Sequence, residues 1–99
     1  MTIEKNRQGA QLTVALEGRL DTVSAPELDA LVKNELEGVD TFILDLKKLQ
    51  YTSSAGLRVI LVAQKTMNKQ GKMILKNVAE AVMEVFEMTG LSDLLTIES

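Results

Sequence analysis

Two short stretches near the N-terminus alternate in the way expected of β-strands. Residues 2–7 are a weak candidate because residues 4–7 are all polar, whereas Leu12, Val14 and Leu16 lie on one face of a second strand. Gly9 between the two stretches is a turn signal. The pattern predicts a β-hairpin whose more polar first strand lies at a sheet edge.

Three longer segments have the spacing of amphipathic helices, with hydrophobic residues recurring every three or four positions. At the start of the first, Ser24 and Glu27 are spaced as a capping box, in which each side chain bonds the other residue's backbone N–H. A glycine follows each segment, as is common after helices. The predicted helices cover about residues 24–37, 54–70 and 78–88.

Further strands are predicted between these helices. Residues 41–46 are nearly all apolar, which favours a central strand covered on both faces. Residues 73–75 form a third apolar strand, and residues 91–97 supply a short helical turn and a last edge strand. Segments 18–23 and 51–55 are predicted as a loop and a turn.

Strands and helices therefore alternate along most of the chain. This order predicts an α/β fold with a mixed, mostly parallel sheet of 4–5 strands, an antiparallel N-terminal edge hairpin and 3–4 helices. In such a sheet, every strand-to-helix loop emerges at the carboxyl-terminal ends of the strands, here called the rim. We therefore expect Asp21, in the loop 18–24, and Ser54, in the loop 47–54, to share that rim.

Charge argues against nucleic acid as a partner. The 99-residue chain has a net charge of −3, and its longest basic run is Lys47-Lys48. A nucleic-acid-binding protein needs a basic surface that displaces counterions from phosphates. The basic residues here are scattered, which excludes that class.

Cysteine and histidine are both absent. Their absence removes thiol nucleophiles, imidazole acid–base chemistry and the commonest transition-metal ligands. The six glycines are too dispersed for a phosphate-binding loop, so we expect no cofactor, no metal and no enzymatic activity. No signal peptide and no apolar run of roughly 20 residues is apparent, and we expect a cytoplasmic protein without membrane insertion.

The segment 45–58 joins the central strand to the second helix. It places the small residues Ser53, Ser54, Ala55 and Gly56 at the helix entry. Serine is strongly preferred as a helix cap, and glycine allows close approach of helix and sheet. A helix N-terminus also favours anions, because its N–H groups are unpaired and its dipole is positive there. The segment fits a plain cap and also a fold that tolerates phosphate on Ser54.

Three stretches of the chain resemble the anti-sigma factor antagonist family, that of the STAS domain. Residues 18–21 with 24–26 follow the second strand, residues 51–57 enter the second helix, and residues 85–91 end the third. Their order and spacing cover essentially the whole chain. The resemblance implies a single STAS domain over residues 1–99.

The resemblance also implies functional residues. The family's regulatory serine lies two residues before the glycine of this loop, which implies Ser54 as the phosphoacceptor; Ser53 stands where many members have Asp and remains the alternative. Asp21 matches the acidic loop residue that contacts the partner kinase. For Arg58, a partner contact and a plain surface charge both stay open. The implied partner-binding residues are Asp21, Thr22, Tyr51, Thr52, Ser53, Gly56, Leu57 and Arg58.

The family's partner-switching cycle supplies the expected function. The unphosphorylated protein binds an anti-sigma factor that is a GHKL-type serine kinase and so frees a sigma factor. Phosphorylation of Ser54 releases the protein, and a serine phosphatase resets it. Two alternatives remain: a STAS regulatory subunit of a membrane transporter, and a small nucleotide-binding protein. The sequence predicts no oligomeric state.

Overall fold

Five strands lie side by side in chain order in a computed structural model that describes residues 1–98. Ser99, the last residue of the predicted domain, lies outside the described residues. The strands are β1 (Thr2–Gln8), β2 (Gln11–Leu20), β3 (Thr41–Thr52), β4 (Lys72–Lys76) and β5 (Ile97–Glu98). The helices are α1 (Ala25–Glu35), α2 (Ser54–Asn68) and α3 (Glu80–Met88), followed by a 3₁₀ turn at Leu91–Asp93.

The sheet is mixed, as the order of elements predicts. β1 pairs antiparallel with β2, from Thr2 opposite Glu17 to Gln8 opposite Gln11. The pairs β2–β3, β3–β4 and β4–β5 are parallel. These pairings confirm the α/β class, the N-terminal edge hairpin and the mostly parallel sheet.

One face of the sheet carries the aliphatic core. Phe42, Leu44 and Leu46 of β3 are fully buried, whereas Ile43 and Asp45 between them are only half-buried. Each right-handed crossover advances one strand in the same direction, which puts α1, α2 and α3 on the same face. The prediction that the central strand is covered on both faces is therefore wrong: an apolar run was taken as evidence for two helical layers.

Two strands are longer than predicted. β2 continues to Leu20 and β3 to Thr52, so the first half of the predicted loop at 18–23 and the first two residues of the predicted turn at 51–55 are strand. Their ends pair with each other, Leu20 opposite Thr52, past two register shifts in β2. Pairing between the two strands keeps residues 18–20 and 51–52 extended, although their sequence does not alternate between apolar and polar residues.

The helix boundaries also differ from the prediction. α2 ends at Asn68 and α3 begins at Glu80, two residues inside the predicted limits. Gly71 follows α2 because a Cβ there would collide with the backbone of Asp40, not because it adopts a left-handed conformation. Within residues 1–98, no helix has the length and apolar character needed to cross a membrane.

Candidate functional site

The rim where β2 and β3 end brings the two predicted site loops together. The backbone N–H of Ser53 donates to the carbonyl of Leu20 over 2.8 Å, which ties the end of β3 to the end of β2. Asp21 follows β2 directly, and Ser54 begins α2 one residue after Ser53. The predicted placement of Asp21 and Ser54 on one rim is confirmed.

The two adjacent serines have different roles in the structure. Ser53 is the N-cap of α2: its backbone is extended, and its Oγ accepts from the N–H of Gly56 at 3.4 Å. Its carbonyl accepts the first helical hydrogen bond, from Leu57 at 3.0 Å. Ser54 is the first residue of α2 and is exposed. Ser53 therefore supplies the cap, and the Ser54 hydroxyl faces solvent without that task.

Gly56 permits α2 to lie against the ends of the strands. A Cβ at this position would lie 2.5 Å from Thr52 Oγ1 and 2.6 Å from Leu20 Cγ, well inside van der Waals contact. Thr52 is 2% exposed and Leu57 6%. Among the predicted partner contacts, Thr52, Gly56 and Leu57 thus lie beneath the rim and hold its shape, while their neighbours form its surface.

Asp21 and Ser24 lock the loop between β2 and α1. Asp21 Oδ1 accepts from the N–H groups of Val23 and Ser24, each at 3.1 Å, and its carbonyl accepts from Ala25 at 2.7 Å. Ser24 Oγ accepts from the Asp21 N–H at 2.9 Å and donates to the carbonyl of Arg19 at 2.8 Å. Asp21 therefore closes the turn that leads into α1.

The predicted capping box of Ser24 and Glu27 is wrong, because the Ser24 side chain makes no bond to the start of α1. Its hydroxyl is instead directed back toward β2, where it meets Arg19 and Asp21. The sequence pattern therefore identified the helix start to within one residue but wrongly predicted a side-chain cap.

The same contacts set the charge state of Asp21. The hydrogen bond from the Ser24 N–H is the largest cause that lowers the pKa of the Asp21 carboxyl below 3.8, and partial desolvation opposes it. The Ser24 hydroxyl, the Val23 N–H and the Arg19 charge lower that pKa further. Asp21 is therefore a fixed negative charge on the rim at neutral pH.

Arg19 is a rim residue that the sequence did not identify. Its guanidinium lies 4.2 Å from the centre of the Tyr51 ring, and its Nε lies 4.0 Å from Asp21 Oδ2. Arg19 and Tyr51 are opposite each other in the β2–β3 register. Because the segment was predicted as loop, nothing indicated that pairing; knowledge of the strand extension would have revealed it.

A shallow groove between α1 and α2 continues the rim. Thr22 and Arg58 stand at its sides, and Val23 nearby is 90% exposed. A contiguous apolar patch rimmed by polar residues is typical of protein contact surfaces, whereas a single exposed apolar side chain such as Val23 is common on any protein surface. The apolar residues that line the groove are Ala25, Pro26, Ala55, Val59 and Val62.

Comparison with known proteins establishes the family. A model of the STAS domain matches residues 2–99. The chain belongs to the STAS domain family. This membership accounts for the mixed sheet and for the rim at the ends of β2 and β3.

Several relatives are similar to this chain over most of their length. The anti-sigma-B factor antagonist of Bacillus subtilis is 34% identical over 99 residues, which cover 98% of this chain and 88% of that protein. BtrV of Bordetella bronchiseptica is 31% identical, with 98% and 85% covered.

SpoIIAA, an anti-sigma factor antagonist of Bacillus, has the same fold. Its unphosphorylated form superposes with a TM-score of 0.79 at 18% identity, covering 99% of this STAS chain and 88% of the other. Its phosphorylated form gives a TM-score of 0.78 at 20% identity, with 99% and 92% covered.

Proposed function

We propose that this STAS protein is an anti-sigma factor antagonist that is controlled by phosphorylation of Ser54. The observation that carries the proposal is that the two adjacent serines at the start of α2 have different roles: Ser53 supplies the cap, whereas Ser54 is exposed. The relative that is 34% identical is named as such an antagonist, and SpoIIAA is described in a phosphorylated form.

In the proposed cycle, the unphosphorylated protein binds an anti-sigma factor with serine kinase activity and thereby frees a sigma factor. The kinase then transfers the γ-phosphate of ATP to the Ser54 oxygen, the hydroxyl proton leaves, and ADP and phosphoprotein separate. A serine phosphatase hydrolyses the phosphoester and resets the cycle. The STAS protein supplies a hydroxyl and a docking surface in the cytoplasm, and the catalytic groups belong to its partners.

The exposed part of the rim is the proposed docking surface. It comprises side chains from the three elements that meet there, and the buried Thr52, Gly56 and Leu57 support it from below. Arginine and tyrosine are among the residues enriched at the energetic centres of interfaces, so the Arg19–Tyr51 stack is the expected centre of this docking surface. The docking residues are Arg19, Asp21, Thr22, Tyr51, Ser53, Ser54 and Arg58.

Charge makes phosphorylation an effective switch. A phosphate adds about −1.5 to −2 charges, which the positive end of the α2 dipole accommodates. In a close interface the same charge must lose its hydration and meets the partner's own groups. Loss of about 2 kcal/mol of contact energy already weakens binding roughly thirtyfold. The fold should therefore survive the modification while the complex dissociates.

Phosphosite mapping tests this proposal. Protein purified from its host should carry phosphate on Ser54 by mass spectrometry, and Ser54→Ala should abolish phosphorylation by the co-purifying kinase. The neighbouring Ser53→Ala is the matched control and should still be phosphorylated, at a reduced rate because the α2 cap is lost. Phosphate on Ser53 alone, or capture of a transporter ATPase in place of a kinase, would overturn the proposal.

A further inference from the structure

Arg58 lies one helical turn beyond Ser54 on α2. Residues four apart on a helix are neighbours on its surface, with Cβ atoms about 5–6 Å apart. Both side chains are exposed, so a group attached to the Ser54 oxygen comes within reach of the guanidinium. An arginine fork also matches the oxygens of a phosphate, which it can bind through two parallel N–H bonds.

The charges around Arg58 leave it uncompensated before phosphorylation. Asp29, which lines the same groove as Arg58, is paired with Lys33 at 2.8 Å, and Asp21 lies beside Arg19. Within residues 1–98, Arg58 takes part in no ion pair. A cation one turn from the positive end of a helix is also placed unfavourably with respect to the dipole. A negative group on Ser54 would give Arg58 an ion-pair partner and would offset its unfavourable interaction with the helix dipole.

We infer that Arg58 is the positioning residue for the phosphate of phosphorylated Ser54, which its guanidinium holds through an intrahelical pair. The inference rests on the proposed function and adds a second element to the switch. Phosphorylation adds negative charge to the docking surface and at the same time withdraws the Arg58 guanidinium from it. Arg58 then serves the partner in one state and the phosphate in the other.

A pH titration of the phosphate tests this pair directly. Phosphoserine is incorporated at position 54 during translation, and its second pKa, ordinarily about 6, is followed by ³¹P NMR. The pair favours the dianion, so Arg58→Gln should raise this pKa by about 0.3–1 unit, and Arg58→Lys by less. Addition of 0.5 M salt should shrink the difference, because the pair is exposed.

Lys65→Gln is the matched control, since it removes one positive charge from the same helix at about 16.5 Å from Ser54 along the helix axis. That distance exceeds the roughly 8 Å Debye length at physiological salt, so the phosphate pKa should stay within 0.1 unit of the wild-type value. Equal phosphate pKa values in wild type and Arg58→Gln, or an equal shift in Lys65→Gln, would overturn the inference.

The design separates this inference from the proposed function. Phosphoserine is installed without a kinase, so the titration result does not depend on which residue a kinase chooses. If the phosphate pKa is unshifted in Arg58→Gln, the Arg58–phosphate pair is refuted, whereas the proposed control by phosphorylation of Ser54 is unaffected. If the phosphate pKa shifts by several tenths of a unit in Arg58→Gln, the Arg58–phosphate pair is supported. This holds even if protein from the host carries no phosphate on Ser54, a result that would refute only the proposed function.

Discussion

At the scale of single residues, several hydrogen bonds fix both the side chain and the backbone of Asp21 in its loop. Its carboxylate accepts two backbone N–H groups, and its own N–H and carbonyl are also bonded within the loop. The hydrogen bonds favour the charged form, so protonation of Asp21 weakens the loop. The rim should therefore be most rigid at pH values at which this carboxylate is ionised.

The sign of the pH effect follows from the lowered pKa of Asp21. A group with a lower pKa in the folded than in the unfolded state adds stability above its unfolded value, and that stability is lost as pH falls through the folded value. We expect ¹³C NMR of the Asp21 carboxyl to show titration below pH 3.8. Ser24→Ala removes the hydroxyl but keeps the backbone N–H that is the largest cause, so it should raise that pKa only part of the way toward the ordinary value. An unchanged pKa in Ser24→Ala would contradict the contribution assigned to the hydroxyl.

At the scale of elements, α2 is fitted to the strand ends by one glycine. The small residues at its entry were correctly predicted as a cap and a close approach, since serine is strongly preferred at helix caps and glycine allows close approach of the backbone. The Arg19–Tyr51 stack was not predictable, because it depends on a strand extension that leaves no alternation in the sequence. The cap of α2 depends on residues that are adjacent in the sequence, whereas the Arg19–Tyr51 pairing joins residues that are far apart in it.

Gly56→Ala should destabilise the protein by about 1–3 kcal/mol, because the added methyl group overlaps Thr52 and Leu20. Urea denaturation monitored by circular dichroism measures the change in the free energy of unfolding. Ser54→Ala, which also places an alanine in the first turn of α2 but at an exposed position, should change it by less than about 0.5 kcal/mol. Similar losses in both variants would argue against the close contact at Gly56.

At the scale of the whole molecule, the three helices cover a single face of the sheet. The sequence predicted the element order, the antiparallel hairpin and the shared rim, because these depend on chain order and general rules of connection. It misjudged the second face, since Ile43 and Ile74 are apolar yet only half-buried. An apolar run alone does not reveal how many layers cover a strand.

Adjacent residues of β3 allow a test of this one-sided architecture. Leu44→Ala, on the helix side and fully buried, should cost about 2–5 kcal/mol of unfolding free energy. Ile43→Ala, on the half-buried side, should cost about 1 kcal/mol. Thermal and urea unfolding of the two variants measure the difference, and equal losses would indicate a second covered face.

The central claim is that negative charge at position 54 causes the partner complex to dissociate and leaves the fold unchanged. Isothermal titration of the anti-sigma kinase with wild-type, Ser54→Asp and Ser54→Asn protein measures it, the last variant matching aspartate in size without its charge. We predict that Ser54→Asp binds at least roughly thirtyfold more weakly than Ser54→Asn, with an unchanged far-UV circular dichroism spectrum. Undiminished affinity of Ser54→Asp, or equal weakness of both variants, would contradict the account.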